Sequence, residues 1–128
     1  MKALVLVRHA SAGDRERWSG DDRQRPLDER GQRQAEELVI SLAAHRFDRI
    51  VSSPYLRCTQ TVEPLAHHCG LRVEERDELA EGASRDEALA LVEEMRGAGV
   101  VLCTHGDVVL ELLGAELRKG ETAVLVEP

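Results

Sequence analysis

Two short apolar runs without a polar break constrain this fold most: Ala3-Leu4-Val5-Leu6-Val7 near the start and Val100-Val101-Leu102-Cys103 near the end. A strand covered on one face alternates apolar and polar residues. A strand covered on both faces reads as a continuous run, the habit of parallel sheets. Arg49-Ile50-Val51-Ser52 and Leu71-Arg72-Val73-Glu74 are weaker strands, and Thr122 to Val126 is a last one. Between them apolar residues recur at helical spacing. Ala35, Leu38, Val39 and Leu42 mark a helix over 29–44. Cys58, Thr61, Val62, Leu65 and Cys69 mark a second, which Pro64 is expected to kink or split. Ala88, Leu91, Val92 and Met95 mark a third, ended by Gly97 and Gly99, and Val108, Val109, Leu112 and Leu113 a short fourth. Strands alternating with helices predict one three-layer α/β/α domain over residues 1–128, with a mostly parallel five-stranded sheet.

Composition narrows the function classes. Lys plus Arg number 17 against 24 Asp plus Glu, a net charge of −7, which argues against a nucleic-acid partner and against a polybasic membrane-surface role. No run approaches the roughly 20 apolar residues of a membrane span. The first apolar run breaks at Arg8-His9, too early for a secretory signal, so a cytoplasmic location is expected. Cys58, Cys69 and Cys103 are odd in number and lack CxxC spacing, which points to neither a disulfide framework nor a zinc site. His67-His68-Cys69 resembles a metal cluster only on paper, since adjacent helical residues point apart.

The chemistry concentrates at strand ends. The first strand runs out into Arg8-His9-Ala10, and the strong strand at 100–103 into Thr104-His105-Gly106. Ligands of open α/β sheets bind outside the carboxyl ends of strands, so both histidines should face one crevice. Gly106-Asp107 then opens a helix whose free N–H groups favour an anion. Arg57 lies about one helical turn past the second strand. With Arg8 it could grip one phosphoryl group through planar, multidentate hydrogen bonds. A neutral imidazole at His9 can attack phosphorus, and His105, if protonated, would stabilise developing oxygen charge. The leaving oxygen needs a proton donor. Glu81, beside the flexible Gly82, is preferred, with Glu78 the alternative. Ser11 and Arg15, in the polar loop from Ser11 to Asp28, are candidate substrate contacts together with Gly106; Trp18 in the same loop flanks the crevice or only anchors the loop.

These residues resemble the histidine phosphatase superfamily of phosphoglycerate-mutase-like enzymes. Leu6-Val7-Arg8-His9-Ala10 is similar to its signature, Ser53-Pro54-Tyr55-Leu56-Arg57-Cys58-Thr59-Gln60-Thr61 to its second-arginine motif, and Thr104-His105-Gly106-Asp107 to its second-histidine motif. Leu79-Ala80-Glu81-Gly82 is similar to its acid-bearing segment, and Arg25-Pro26-Leu27 followed by Gly31 to its small members. The short length and Arg8-His9-Ala10-Ser11-Ala12 most resemble small SixA-type phosphohistidine phosphatases. Arg15 to Gly31 also resembles the phosphatase domain of two-domain Nudix hydrolases. The resemblance implies a phosphoglycerate-mutase-like fold and a phosphoryl-accepting His9. It implies a phosphate pocket of Arg8, Arg57 and His105, with no cofactor or metal. The expected substrate is a phosphorylated protein, above all a phosphohistidine. A small phosphomonoester or nucleotide is the alternative. A catalytically silent phosphoprotein-binding module and a metallohydrolase built on His9 and His105 are the competing classes.

Overall fold

The computed structural model describes residues 2–126. Five strands, β1 (Leu4–Arg8), β2 (Arg49–Ser52), β3 (Val73–Glu75), β4 (Val100–Thr104) and β5 (Thr122–Val126), form one sheet in the order β3-β2-β4-β1-β5. β1, β2, β3 and β4 pair in parallel, and β5 closes the edge antiparallel to β1. The expected mostly parallel five-stranded sheet is therefore present.

Four helices cover it: α1 (Glu29–Ser41), α2 (Leu56–Cys69), α3 (Arg85–Met95) and α4 (Gly106–Leu113). The continuous apolar runs explain the layering, because successive side chains on a strand point to opposite faces. Val5, Val7, Val101 and Cys103 pack with Leu38 of α1, with Leu42 just past its end, and with Cys58, Val62 and Leu65 of α2. Leu4, Leu6, Val100 and Leu102 pack on the other face with Leu91 and Met95 of α3 and Val109 of α4. Cys103 is thus an apolar filler of the first layer.

The element limits show what local signals miss. α1 stops at Ser41 rather than Ala44. α3 begins at Arg85, where Ser84 caps the Glu87 N–H and Glu87 caps the Ser84 N–H in return. Pro64 neither ends nor splits α2, which runs to Cys69. A proline removes only one helical donor. The buried Val62, Leu65 and Ala66 on either side hold both halves against the sheet. The third strand forms at Val73–Glu75, two residues later than expected.

The loop leaving β1 carries two single 3₁₀ turns, Arg15–Arg17 and Asp22–Gln24. Asp14 and Asp21 cap them by accepting from Glu16 N and Arg23 N. The loop is stitched to α1: Ser11 O accepts from Asp28 N at 3.1 Å, and Ser11 N donates to Gln34 Oε1 at 2.8 Å. Gly31 permits this approach, since a Cβ there would lie 1.9 Å from Ser11 O. Gly31→Ala is expected to cost about 1–3 kcal/mol of stability in urea unfolding, with Arg33→Ala on the exposed face of the same helix within about 0.5 kcal/mol. Equal midpoints for the two variants would contradict this packing.

Candidate active site

Parallel pairing of β1 with β4 sets Arg8 opposite Thr104. The next residues on the two strands are His9 and His105. Their rings meet edge to face with centroids 5.5 Å apart. His9 N donates to Thr104 O at 3.0 Å and Ser53 N to Cys103 O at 2.9 Å, so the ends of β1, β4 and β2 are tied together. Arg57, in the first turn of α2, reaches the same place and is fully buried.

Each side chain is held by partners that leave part of it free. His9 Nδ1 lies 2.8 Å from its neighbour's carbonyl, Ala10 O, a contact that requires a proton on Nδ1 and leaves Nε2 with its lone pair. Arg8 donates through Nη1 to Leu117 O at 2.8 Å. Arg57 donates through Nη1 to Asp22 O at 2.8 Å and through Nη2 to Asp22 Oδ2 at 3.1 Å. Its guanidinium carbon lies 4.9 Å from the Tyr55 ring centre. Tyr55 in turn stands edge-on to His105, centroids 4.6 Å apart, and His105 Nε2 pairs with Ser53 Oγ at 2.8 Å. Three buried side-chain polar atoms lack any partner among the described residues: Arg8 Nε, Arg57 Nε and His105 Nδ1. Buried polar groups are paired in the great majority of cases, so three orphans from three neighbouring residues are an exception that calls for a ligand. Gly106 adds room here: a Cβ on it would lie 3.0 Å from the Arg8 guanidinium carbon.

A cavity of about 600 Å³ opens at Arg8 and His9. Its lining includes Arg8, His9, Arg15, Glu81, Gly106 and Asp107. Glu81 accepts a hydrogen bond from Arg15 Nη2 and lies 3.6 Å from Arg57 Nη2. The structure separates the two acid candidates. Glu78 is bound to Arg76, with Nη2 to Oε2 at 2.6 Å, and does not line the cavity. Ser11 is also turned away: its Oγ donates to Asp28 Oδ2 at 2.8 Å, and it lines a different cavity beside α1. Trp18, 38% exposed, donates to Asp21 O and lines a side cavity with Pro26 and Leu27.

Sequence reasoning missed Asp22, which holds Arg57 from the long loop while also accepting from Arg25 Nε at 2.9 Å. An acidic residue in a polar loop carries no signal of this role. It also missed Thr61, whose Oγ1 accepts from Ala10 N at 2.9 Å and donates to Arg57 O at 2.7 Å, joining the two arginine-bearing segments. Ser53 and Tyr55 lay inside the quoted motif, but their grip on His105 was not legible there.

Electrostatics keep both imidazoles neutral near pH 7. Burial pushes His9 from 6.5 down to about 4; the Ala10 hydrogen bond opposes this, while the charges of Arg57, Arg8 and Lys119 reinforce it. Burial, then the charges of His9, Arg57 and Arg15, push His105 down to about 2, against Asp22. His105 is therefore a neutral hydrogen-bond donor in the free protein, so the condition that it be protonated is not met, because desolvation disfavours the charged ring. For Asp22, burial pushes the carboxyl up, but the Arg25 hydrogen bond and the charges of Arg57, Arg25 and Arg15 hold it below its ordinary value. No group of three or more His, Cys, Asp or Glu side chains able to hold a metal ion occurs among the described residues. No helix among them is long and apolar enough to cross a membrane.

A family model described as the histidine phosphatase superfamily (branch 1) matches residues 4–89. A protein of Mycolicibacterium smegmatis named 8-oxo-(d)GTP phosphatase is 40% identical over 119 residues, which is 88% of this chain and 36% of that protein. The chain thus spans little more than a third of that curated relative. Among solved structures, one assigned as the phosphohistidine phosphatase SixA of Agrobacterium tumefaciens superposes with a TM-score of 0.74 at 25% identity, over 96% of this chain and 89% of that one. Another, assigned as SixA of Nakamurella multipartitia, gives 0.68 at 32% identity, over 88% and 66%.

The depressed imidazoles make a stability prediction. The unfolded chain takes up protons on both rings near pH 6.5, while the folded chain resists until about pH 4 at His9 and about pH 2 at His105. Stability is therefore full above pH 6.5 and falls as pH drops below it. Each ring contributes a slope on the order of 1 kcal/mol per pH unit. Urea unfolding between pH 7 and 5 should show this loss, and His9→Ala should reduce its slope. A flat profile would contradict the burial of neutral rings.

Proposed function

Because the chain belongs to the histidine phosphatase superfamily, we propose that it is a metal-independent phosphatase working through a covalent phosphohistidine on His9. The supporting observation is the trio of unpartnered buried donors, Arg8 Nε, Arg57 Nε and His105 Nδ1, beside a neutral His9. Two fixed guanidinium groups and an imidazole N–H suit the oxygens of one phosphoryl group. They cost no reorganisation when charge builds up on those oxygens.

In this proposal His9 Nε2 attacks phosphorus while the bond to the leaving group breaks. Glu81 is read as the group that hands a proton to the departing atom. The carboxylate so formed takes a proton from water, whose oxygen attacks the phosphorus. The P–N bond then breaks, releasing inorganic phosphate and neutral His9. The hydrogen bond from Nδ1 to Ala10 O holds the ring in the nucleophilic tautomer throughout. Gly106 and Arg15 are read as contacts at the phosphate and the mouth. Ser11 is read as a loop anchor that reaches the substrate only through the segment it fixes.

The preferred substrate is a phosphohistidine on a protein. The segment between β3 and α3 carries only a single 3₁₀ turn at Asp77–Leu79, so nothing large roofs the cavity on that side, and a protein-borne side chain can enter. A nucleotide is the second reading, supported by the mycobacterial relative. Hydrolysis of p-nitrophenyl phosphate should persist in EDTA and fall at least about a thousandfold in His9→Ala. An alkaline quench should trap phosphate on the peptide carrying His9. Activity abolished by EDTA would support metal-assisted hydrolysis instead, and absence of turnover on this ester and on a phosphohistidine peptide would support a binding module. In a panel ranked by kcat/KM, a phosphohistidine peptide should exceed nucleotides by about tenfold or more; the reverse order would favour the nucleotide reading.

A further inference from the structure

We infer that Asp107 is a positioning residue for Glu81, and that its hydrogen bond to Gly82 sets how well the site serves poor leaving groups. This rests on the reading of Glu81 as the proton donor. The segment carrying Glu81 is anchored at its start: Leu79 is fully buried among Leu91 and Leu102, and its carbonyl accepts from Thr104 Oγ1 at 2.5 Å. The chain then leaves the core. Ala83 N donates to Ala80 O at 3.0 Å, closing a β-turn with Glu81 and Gly82 at its centre. Gly82 has φ +86°, which suits the third position of a type II turn and disfavours any other residue.

The Cβ direction of Gly82 is open, with nothing within 4 Å, so no neighbour packs on the turn from that side. Arg15 binds Glu81 but is itself exposed in a loop. The tie to a rigid element is the bond from Gly82 N to Asp107 Oδ2, 2.8 Å long. Asp107 sits in the first turn of α4, two residues after His105. One short segment thus fixes both the imidazole that faces the phosphoryl oxygens and the turn that carries the acid. Together with the Thr104 bond, it ties the acid-bearing turn to the β4–α4 junction at both ends. A proton donor displaced by about 1 Å can cost about a hundredfold. That loss falls only on substrates whose leaving group needs the proton.

The test compares p-nitrophenyl phosphate, whose leaving group departs unaided, with glycerol 2-phosphate, whose alkoxide does not. On kcat/KM, which phosphoryl transfer to His9 sets and the later hydrolysis does not, E81Q and D107A should each lose about tenfold or more on the second substrate relative to the first. The double variant should match E81Q alone, and D107N, which keeps an acceptor oxygen, should recover most of the lost rate. Should D107A fail to fold, D107S serves in its place. Equal losses on both substrates in D107A, or multiplied losses in the double variant, would overturn the inference while leaving Glu81 as the acid. E81Q without any dependence on the leaving group would overturn both.

Discussion

The site depends on one backbone interaction, the parallel pairing of β1 with β4 in the register that sets Arg8 opposite Thr104. Side chains alternate along a strand, so a slip of β1 by one residue would exchange its two faces. Leu4 and Leu6 would then meet α1 and α2 in place of Val5 and Val7. The two apolar layers therefore hold the register, and the register holds His9 beside His105. Arg57 joins them because β2 pairs with the other edge of β4 and α2 begins four residues after β2 ends. Rigid strand ends and the first turn of α2 keep three donors unpaired in the protein, at a cost in stability that folding of the large aliphatic core offsets.

Charge balance explains how an acidic chain sustains a cationic site. Arg57 is fully buried, and a buried guanidinium without a partner would be strongly destabilising. Asp22 supplies two acceptors for it, and Glu81 lies beside it at 3.6 Å. These partners engage Nη1 and Nη2 and leave Nε free for an incoming anion. The cavity lining also carries Arg15 and Lys119 together with Asp14, Asp107 and Glu116.

Most of the architecture was legible because its signals are local and periodic. The runs at Leu4 and Val100 and the helical spacing of Leu38, Leu65 and Leu91 report burial directly. His9, His105, Arg8 and Arg57 were legible because topology places strand ends together, so their positions in the chain predict their meeting in space. Failures came where the decisive contact is distant in sequence. Ser11 sits two residues after His9, yet Asp28 captures its hydroxyl. Asp22 acts across the fold on Arg57. Glu78 and Glu81 look alike in sequence, but Arg76 claims the first. The charge state of His105 stayed open for a related reason, since its burial depends on Ser53 and Tyr55 closing over it.

The most direct measurement is the crystallographic position of a bound phosphate analogue such as tungstate or vanadate. The account predicts one oxyanion with its oxygens about 3 Å from Arg8 Nε, Arg57 Nε and His105 Nδ1, and its central atom facing His9 Nε2. An oxyanion seated away from these atoms, or bound unchanged by a protein lacking the Arg57 guanidinium, would contradict it.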